Sequence, residues 1–168
     1  QPLGQRAREI RVLLADAADI LKIYNWYVLN HTATFQVTPS TLEEYEDWVD
    51  NTRKVAPLLL ARDAEGKLLG VGRFSCTHFP EQCEFGISVA ESMHGQGLAF
   101  ALMQEIIALA ARQGYRRMGA EILKSNLPML KLAEKLGFTL APSPHDPEIA
   151  EAILDLLPAN NTKRKSRQ

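Results

Sequence analysis

An α/β (α+β) architecture is expected from this sequence: a mixed, mostly antiparallel twisted sheet with helices on both faces. Three observations lead there. Short apolar runs rich in Val, Leu and Ile alternate with longer stretches whose apolar residues recur at helical spacing. In the middle of the chain three strand-like runs follow one another through short turns, which pairs them antiparallel. Towards the end, strand-like runs are joined through helices instead, as in a mixed sheet. The order that results is β-α-α-β-β-β-α-β-α-β-β.

Each element has a local reason. "EIRVLLAD" (Glu9 to Asp16) reads as a strand. Asp16, with Asp19 three residues on, then opens a helix whose Ala17, Ile20, Tyr24, Tyr27 and Val28 share one face. "HTATFQVTP" ends that helix. "STLEEYEDWV" starts another, with a capping box from Ser40 and Glu43 or from Thr41 and Glu44. "APLLLARD" and "LLGVGRFSC" flank the turn "DAEGK" as a hairpin, and "QCEFGISV" (Gln82 to Val89) returns through "THFPEQ". A glycine-rich loop leads into a helix ending near Gln113, with Leu98, Ala101, Leu102, Ile106 and Leu109 on one face. "YRRMGAEIL" is the next strand. Pro128 suits the first turn of a helix that begins near Asn126, buries Met129, Leu132, Ala133 and Leu136, and stops at Gly137. "FTLA" and "EAILDLL" close the order as strands, with the loop "PSPHDPE" between them.

The 168 residues suit one domain, expected over 9–157, after a flexible segment 1–8 and before a basic, disordered tail 158–168. The net charge is −1, and the last nine residues hold four basic and no acidic side chains, so the rest carries −5. That balance gives no reason to expect a nucleic-acid partner. No apolar run approaches the ~18 residues of a membrane helix, and no secretory signal is visible, so a cytoplasmic protein without a membrane partner is expected. The chain starts without Met, which suits removal of an upstream piece or membership of a longer chain with an upstream domain. Cys76 and Cys83 flank a hairpin connection and face each other across two strands. Reduced thiols are expected, and two soft ligands are too few for a zinc site, so no metal is expected.

"HGQGLA" (His94 to Ala99) carries the functional signal. Gly95 and Gly97 allow positive φ and close approach of a ligand to the backbone. The helix behind them offers unpaired N–H donors and the positive end of its dipole. Such a loop is either a tight turn made for steric reasons or an anion site for a phosphate or pyrophosphate. It is not a P-loop, since no Gly-Lys-Ser/Thr follows. It is not G-x-G-x-x-G, since Phe100 stands at the third glycine.

The loop resembles the acyl-coenzyme A signature of GNAT superfamily N-acetyltransferases, Arg/Gln-x-x-Gly-x-Gly/Ala, with His94 at the position where Arg or Gln is usual. "EFGISV" before the loop, the Asn-led helix ending "EKLGF" and the opening "IRVLLADAADI" fall in the same order as in that superfamily, from about Glu9 to Leu157. The resemblance implies a GNAT-type sheet and acetyl-CoA as acyl donor. It implies backbone contacts to the pantetheine arm from Ile87, Ser88 and Val89, contacts to the pyrophosphate from His94, Gly95, Gln96, Gly97, Leu98 and Ala99, and a further coenzyme contact from Asn126.

Two subgroups compete for the acceptor. "LLGVGR", "CEFGISV", "AEILKSNLPMLKLAEKLGF" and the late "DPE…AILDL" resemble the catalytic domain of bacterial protein lysine acetyltransferases, which implies a protein lysine acceptor. "IYNWYVLNHTATF" is similar to the substrate-side segment of phosphinothricin-type acetyltransferases, which implies a small amino-acid-like amine near Thr34 and Phe35. The protein lysine reading leads here. A third reading, of another class, is a non-catalytic acyl-CoA sensor.

Transfer to an amine needs a neutral nitrogen. For a lysine of pKa ~10.4 only about one in 2,500 is neutral at pH 7, a deficit of roughly 4.6 kcal/mol. A general base must remove that proton. The resemblance places a catalytic glutamate at Glu84; Glu121, on the next strand, is the second choice for base or substrate contact. The tyrosine that many relatives carry in the last helix is replaced here by Ala133, so no general acid comes from that position. Ser88 and Ser125 remain as donors, and a thiol as acidic as that of coenzyme A needs none. An acyl-enzyme on Cys83 is disfavoured, because neighbours on a strand point to opposite faces.

Overall fold

The computed structural model describes residues 9–11, 17–30 and 38–156. In chain order they form β1 (Glu9–Arg11), α1 (Ala17–Asn30), α2 (Leu42–Val55), β2 (Leu58–Arg62), β3 (Leu68–Cys76), β4 (Gln82–Val89), α3 (Leu98–Arg112), β5 (Arg117–Leu123), α4 (Leu127–Lys135), β6 (Thr139–Pro142) and β7 (Ile149–Asp155). This is the order expected from periodicity. Beyond Arg11, the rest of the first expected strand and its cap at Asp16 lie outside the described residues, as do the expected terminal segments. A 3-10 turn at Glu91–Met93, too short for periodicity to reveal, sits between β4 and the glycine loop.

The helix ends follow from their capping chemistry. Of the two capping boxes, the chain uses Thr41 with Glu44: the Thr41 hydroxyl accepts from the Glu44 N–H, and the Glu44 carboxylate accepts from the Thr41 N–H. Helix α4 starts where Asn126 Oδ1 accepts from the Met129 N–H at 3.3 Å, with Pro128 in its first turn. The chain leaves that helix at Gly137 with φ 93°.

The seven strands form one sheet in the order β1-β2-β3-β4-β5-β7-β6. Every neighbouring pair is antiparallel except β4 and β5. Alternation along the strands sorts the side chains to two faces. Leu58, Leu60 and Val71 meet Ile20 and Ile23 of α1 and Tyr45 and Val49 of α2. Leu59, Phe74, Cys83, Met118 and Ile122 meet Leu102, Met103 and Ile106 of α3 and Ala133 of α4. Full burial of a side chain such as Leu102 or Ile106 stabilises the fold by about 1.5–3 kcal/mol. The acidic residues Glu43, Glu46 and Asp47 on the outer side of α2 are solvated.

Helix α3 sits so close to β3 that Gly72 has no room for a side chain. A Cβ there would come within 2.3 Å of Ile106 Cδ1 and 3.3 Å of Leu102 Cγ. Gly72→Ala therefore overpacks the core, and a loss of about 1–3 kcal/mol is expected in urea unfolding; an unchanged midpoint would show that α3 packs elsewhere.

Candidate active site

The sheet forks. Strand β4 pairs with β3 along its whole length, from Cys76↔Cys83 to Gly70↔Val89. Strand β5 pairs with β7 from Arg117↔Asp155 to Leu123↔Ile149. Between β4 and β5, however, pairing covers only Gln82↔Arg117, Cys83↔Met118 and Glu84↔Gly119. Beyond Glu84 the two strands separate. A cavity of about 850 Å³ opens there, walled by Phe85 to Ser88 of β4 and Ala120 to Leu123 of β5. Tyr24 of α1 and Tyr45 and Trp48 of α2 line it from one side, Asn126 and Met129 from another. An edge of β4 beyond the fork, with no strand beside it, can take an extended ligand arm as an added strand.

At the end of β4 the backbone turns through the glycine loop. Gly95 has φ 72°, and Gly97, the N-cap of α3, has φ 79° and offers no side-chain cap. The first N–H groups of an α-helix have no partner inside it. Here they face a loop in which a Cβ at Gly95 would meet no described atom within 4 Å. Open space, unused donors and the positive end of a 15-residue helix fit a pyrophosphate. Leu98 is buried in a small cluster with Ala61, Leu69 and Val89, and Ala99 packs on it, so both anchor the helix and leave only their backbone to a ligand. Gln96 folds back, its Nε2 donating to the Ser92 carbonyl at 2.7 Å.

His94 is held by α1. Its Nε2 lies 2.6 Å from the Tyr27 hydroxyl, which also donates to the Val89 carbonyl at 2.5 Å. The Trp26 ring meets the imidazole edge-on, with centroids 5.8 Å apart. This contact ties α1 to the glycine loop. It also occupies the Val89 carbonyl, and Val89 does not line the cavity, whereas Ile87 and Ser88 do.

The expected acids divide. Glu121 lines the cavity. Glu84 is exposed at the last paired position of the fork, on the same face as Gly86 and Arg73 but below the cavity wall. Thr34 and Phe35 lie outside the described residues. Cys83 points to the opposite face from Glu84 and is 1% exposed. Burial, with a smaller push from the Glu84 carboxylate, raises its thiol to about 12. An acyl-cysteine is excluded by that burial. Cys76 pairs opposite Cys83 in register, as expected, and both thiols are free.

Arg73 is the residue that the sequence reading missed. It lines the cavity, its guanidinium carbon 5.4 Å from the centre of the Trp48 ring. Gly86, its partner on β4, leaves room for it: a Cβ there would lie 3.3 Å from Arg73 Nε. No carboxylate of the described residues pairs with it. A lone Arg in the apolar run "LLGVGRFSC" was the available signal, but only the register shows that a glycine lies beneath it. Burial raises Tyr24 and Tyr45, and the nearby Arg73 charge offsets part of this.

Comparison with known proteins places this geometry. The profile of the Acetyltransferase (GNAT) family matches residues 20–138. The chain belongs to the GNAT acetyltransferase family. It is 34% identical over 133 residues, 76% of this chain and 77% of the relative, to an L-methionine sulfoximine/L-methionine sulfone acetyltransferase of Pseudomonas paraeruginosa. It is 28% identical over 140 residues, 80% of this chain and 76% of the relative, to the phosphinothricin N-acetyltransferase of Streptomyces viridochromogenes. The structure of Salmonella typhimurium yncA with its cofactor acetyl-CoA superposes with a TM-score of 0.78 at 25% identity, covering 92% of this chain and 96% of that one. This GNAT chain is thus an acetyl-CoA-dependent N-acetyltransferase. The resemblance of its second half to protein lysine acetyltransferases gains no support from these relatives, whereas that of "IYNWYVLNHTATF" to phosphinothricin-type enzymes does.

The two thiols give a direct check of the packing over β4. In the native protein at neutral pH a thiol reagent should label Cys76 alone, and unfolding should expose the second thiol. Because folding raises Cys83 from 9.0 to about 12, its contribution to stability is full below about pH 9 and is lost as pH climbs through 12. Rapid labelling of both thiols in the native state would contradict the packing.

Proposed function

We propose that this GNAT enzyme acetylates the amine of a small, amino-acid-like acceptor. The observation that carries the reading is Arg73: a cation with no carboxylate partner among the described residues, braced on Trp48 inside a chamber that also holds Glu121 and Glu44. An acceptor bearing both an anionic group and an ammonium matches that pattern. The guanidinium fork suits a carboxylate or a similar oxyanion. The aromatic walls of Tyr24, Tyr45 and Trp48 suit a compact acceptor that they can enclose. The relatives named for methionine sulfoximine, methionine sulfone and phosphinothricin support the same acceptor class. A protein lysine brings a cation on a long chain and no anion for Arg73, so this acceptor, favoured by the sequence alone, gives way.

The chemistry follows from the fork. The pantetheine arm lies along β4, with Ile87 and Ser88 as its backbone partners and Asn126 beside it. Its pyrophosphate rests on the loop from His94 to Ala99. Glu84 takes a proton from the acceptor ammonium, directly or through water, at the closed end of the fork. The neutral nitrogen attacks the thioester carbonyl, a β4 backbone N–H steadies the oxyanion, the C–S bond breaks, and the leaving thiolate takes the second proton of the nitrogen, directly or through water, and departs as coenzyme A thiol. Ala133, where many relatives have tyrosine, is 1% exposed and fills the core, so no acid acts from there.

Release of coenzyme A thiol, measured with zwitterionic small amines and with lysine peptides as separate acceptor pools, tests the reading: the first pool should respond. Turnover with lysine peptides alone would overturn it. Glu84→Gln should lower kcat by about a hundredfold or more while leaving acetyl-CoA affinity unchanged. Gly97→Val should abolish binding, because its backbone has φ 79° and its space is needed by phosphate. Arg73→Gln should raise the acceptor KM by about tenfold with kcat nearly constant, the mark of lost uniform binding. An unchanged KM would remove Arg73 from the acceptor site.

A further inference from the structure

We propose that Cys76 and Cys83 are a reversible disulfide site, at which Cys76 meets a peroxide and Cys83 closes the bond. The inference is independent of the acceptor. The register sets the two cysteines directly opposite each other on β3 and β4. In an antiparallel pair, hydrogen-bonded and non-hydrogen-bonded positions alternate. The Ala90 N–H donates to the Leu69 carbonyl at 2.8 Å, and the Thr77 N–H to the Gln82 carbonyl at 3.3 Å. Both are hydrogen-bonded positions of the same register. Counted from either, Cys76↔Cys83 is a non-hydrogen-bonded position. There the Cα atoms stand about 4.5 Å apart and the side chains are at their closest. A disulfide needs Cα atoms about 4.4–6.8 Å apart, so the backbone already stands at bonding distance.

The two side chains share a face. Cys76 stands two residues after Phe74, Cys83 stands two before Phe85, and Phe74 is opposite Phe85 on the same strands. Phe74 and Cys83 are buried in the core against α3. The Tyr115 hydroxyl has both thiols as neighbours: burial raises its pKa, and Cys76 and Cys83 each add to the rise. Exposure divides the roles, because Cys76 is open to solvent and Cys83 is 1% exposed. Peroxide therefore reaches Cys76 first. The Cys76 thiolate attacks one peroxide oxygen, the O–O bond breaks and water leaves, giving a sulfenic acid. The Cys83 sulfur then attacks the Cys76 sulfur, the S–O bond breaks, and the Cys83 proton departs with the hydroxide as water. Two electrons have passed from the sulfurs to one peroxide. Cys83 needs no path from solvent for this step, because its partner is its cross-strand neighbour. Its present contact is a weak one, Sγ donating to the Arg117 carbonyl at 3.6 Å, so little keeps it from turning towards β3.

The experiment treats the native full chain with hydrogen peroxide, alkylates it and maps it by mass spectrometry without reduction. The wild type should lose both thiols to one Cys76–Cys83 link, its mass lower by two hydrogens, and dithiothreitol should restore both thiols. A probe for sulfenic acids should label Cys76 in Cys83→Ala and not in the wild type. Cys76→Ser should leave Cys83 unmodified; Cys76 is exposed, so folding does not confound this variant. A wild type that holds oxidised Cys76 beside a free Cys83 thiol, or that links two chains through Cys76, would overturn the inference. So would oxidation of Cys83 in native Cys76→Ser, or survival of both wild-type thiols in peroxide.

Discussion

Everything in the site depends on where β4 and β5 stop pairing. They are the only parallel neighbours among the described strands, and each is committed elsewhere: β4 to β3 up to Val89, β5 to β7 up to Leu123. Sheet twist accumulates between strands held to different partners. After Glu84↔Gly119 nothing draws them together, and a wedge opens inside an otherwise continuous sheet. The wedge leaves backbone groups of β4 available without creating an exposed outer edge. It also sets the geometry of the rest, because the helix that follows β4 starts at its upper end and the residues facing α1 and α2 look into it.

Charge is arranged around that wedge with economy. On one side Arg73 lies over Gly86 and beside the Trp48 ring, Glu121 lines the gap, and Glu84 stands where it closes. On the other side the glycine loop and the positive end of the α3 dipole leave backbone donors open to an anion. The Tyr27–His94 contact joins the two sides. The histidine that departs from the usual loop pattern thus has a structural partner in Tyr27 of α1, which explains why this chain tolerates it.

Most of the fold was legible because it rests on local patterns. The stripe on α4 and its stop at Gly137, the Thr41–Glu44 box and the glycine loop each follow from a few neighbouring residues. Two kinds of feature were not legible. The 3-10 turn at Glu91–Met93 is shorter than any period. Arg73 acquires meaning only through register, which sets Gly86 beside it and brings Trp48 over it from α2. The acceptor is hard to read from sequence for the same reason: the cavity residues around Arg73 come from α1, α2 and β3, far apart along the chain.

The fork itself is best tested by hydrogen exchange with and without acetyl-CoA. Binding should slow exchange at Phe85 to Ser88 and at His94 to Ala99, and leave β2 unchanged. Protection that spreads evenly over the sheet, or that misses β4, would contradict the account.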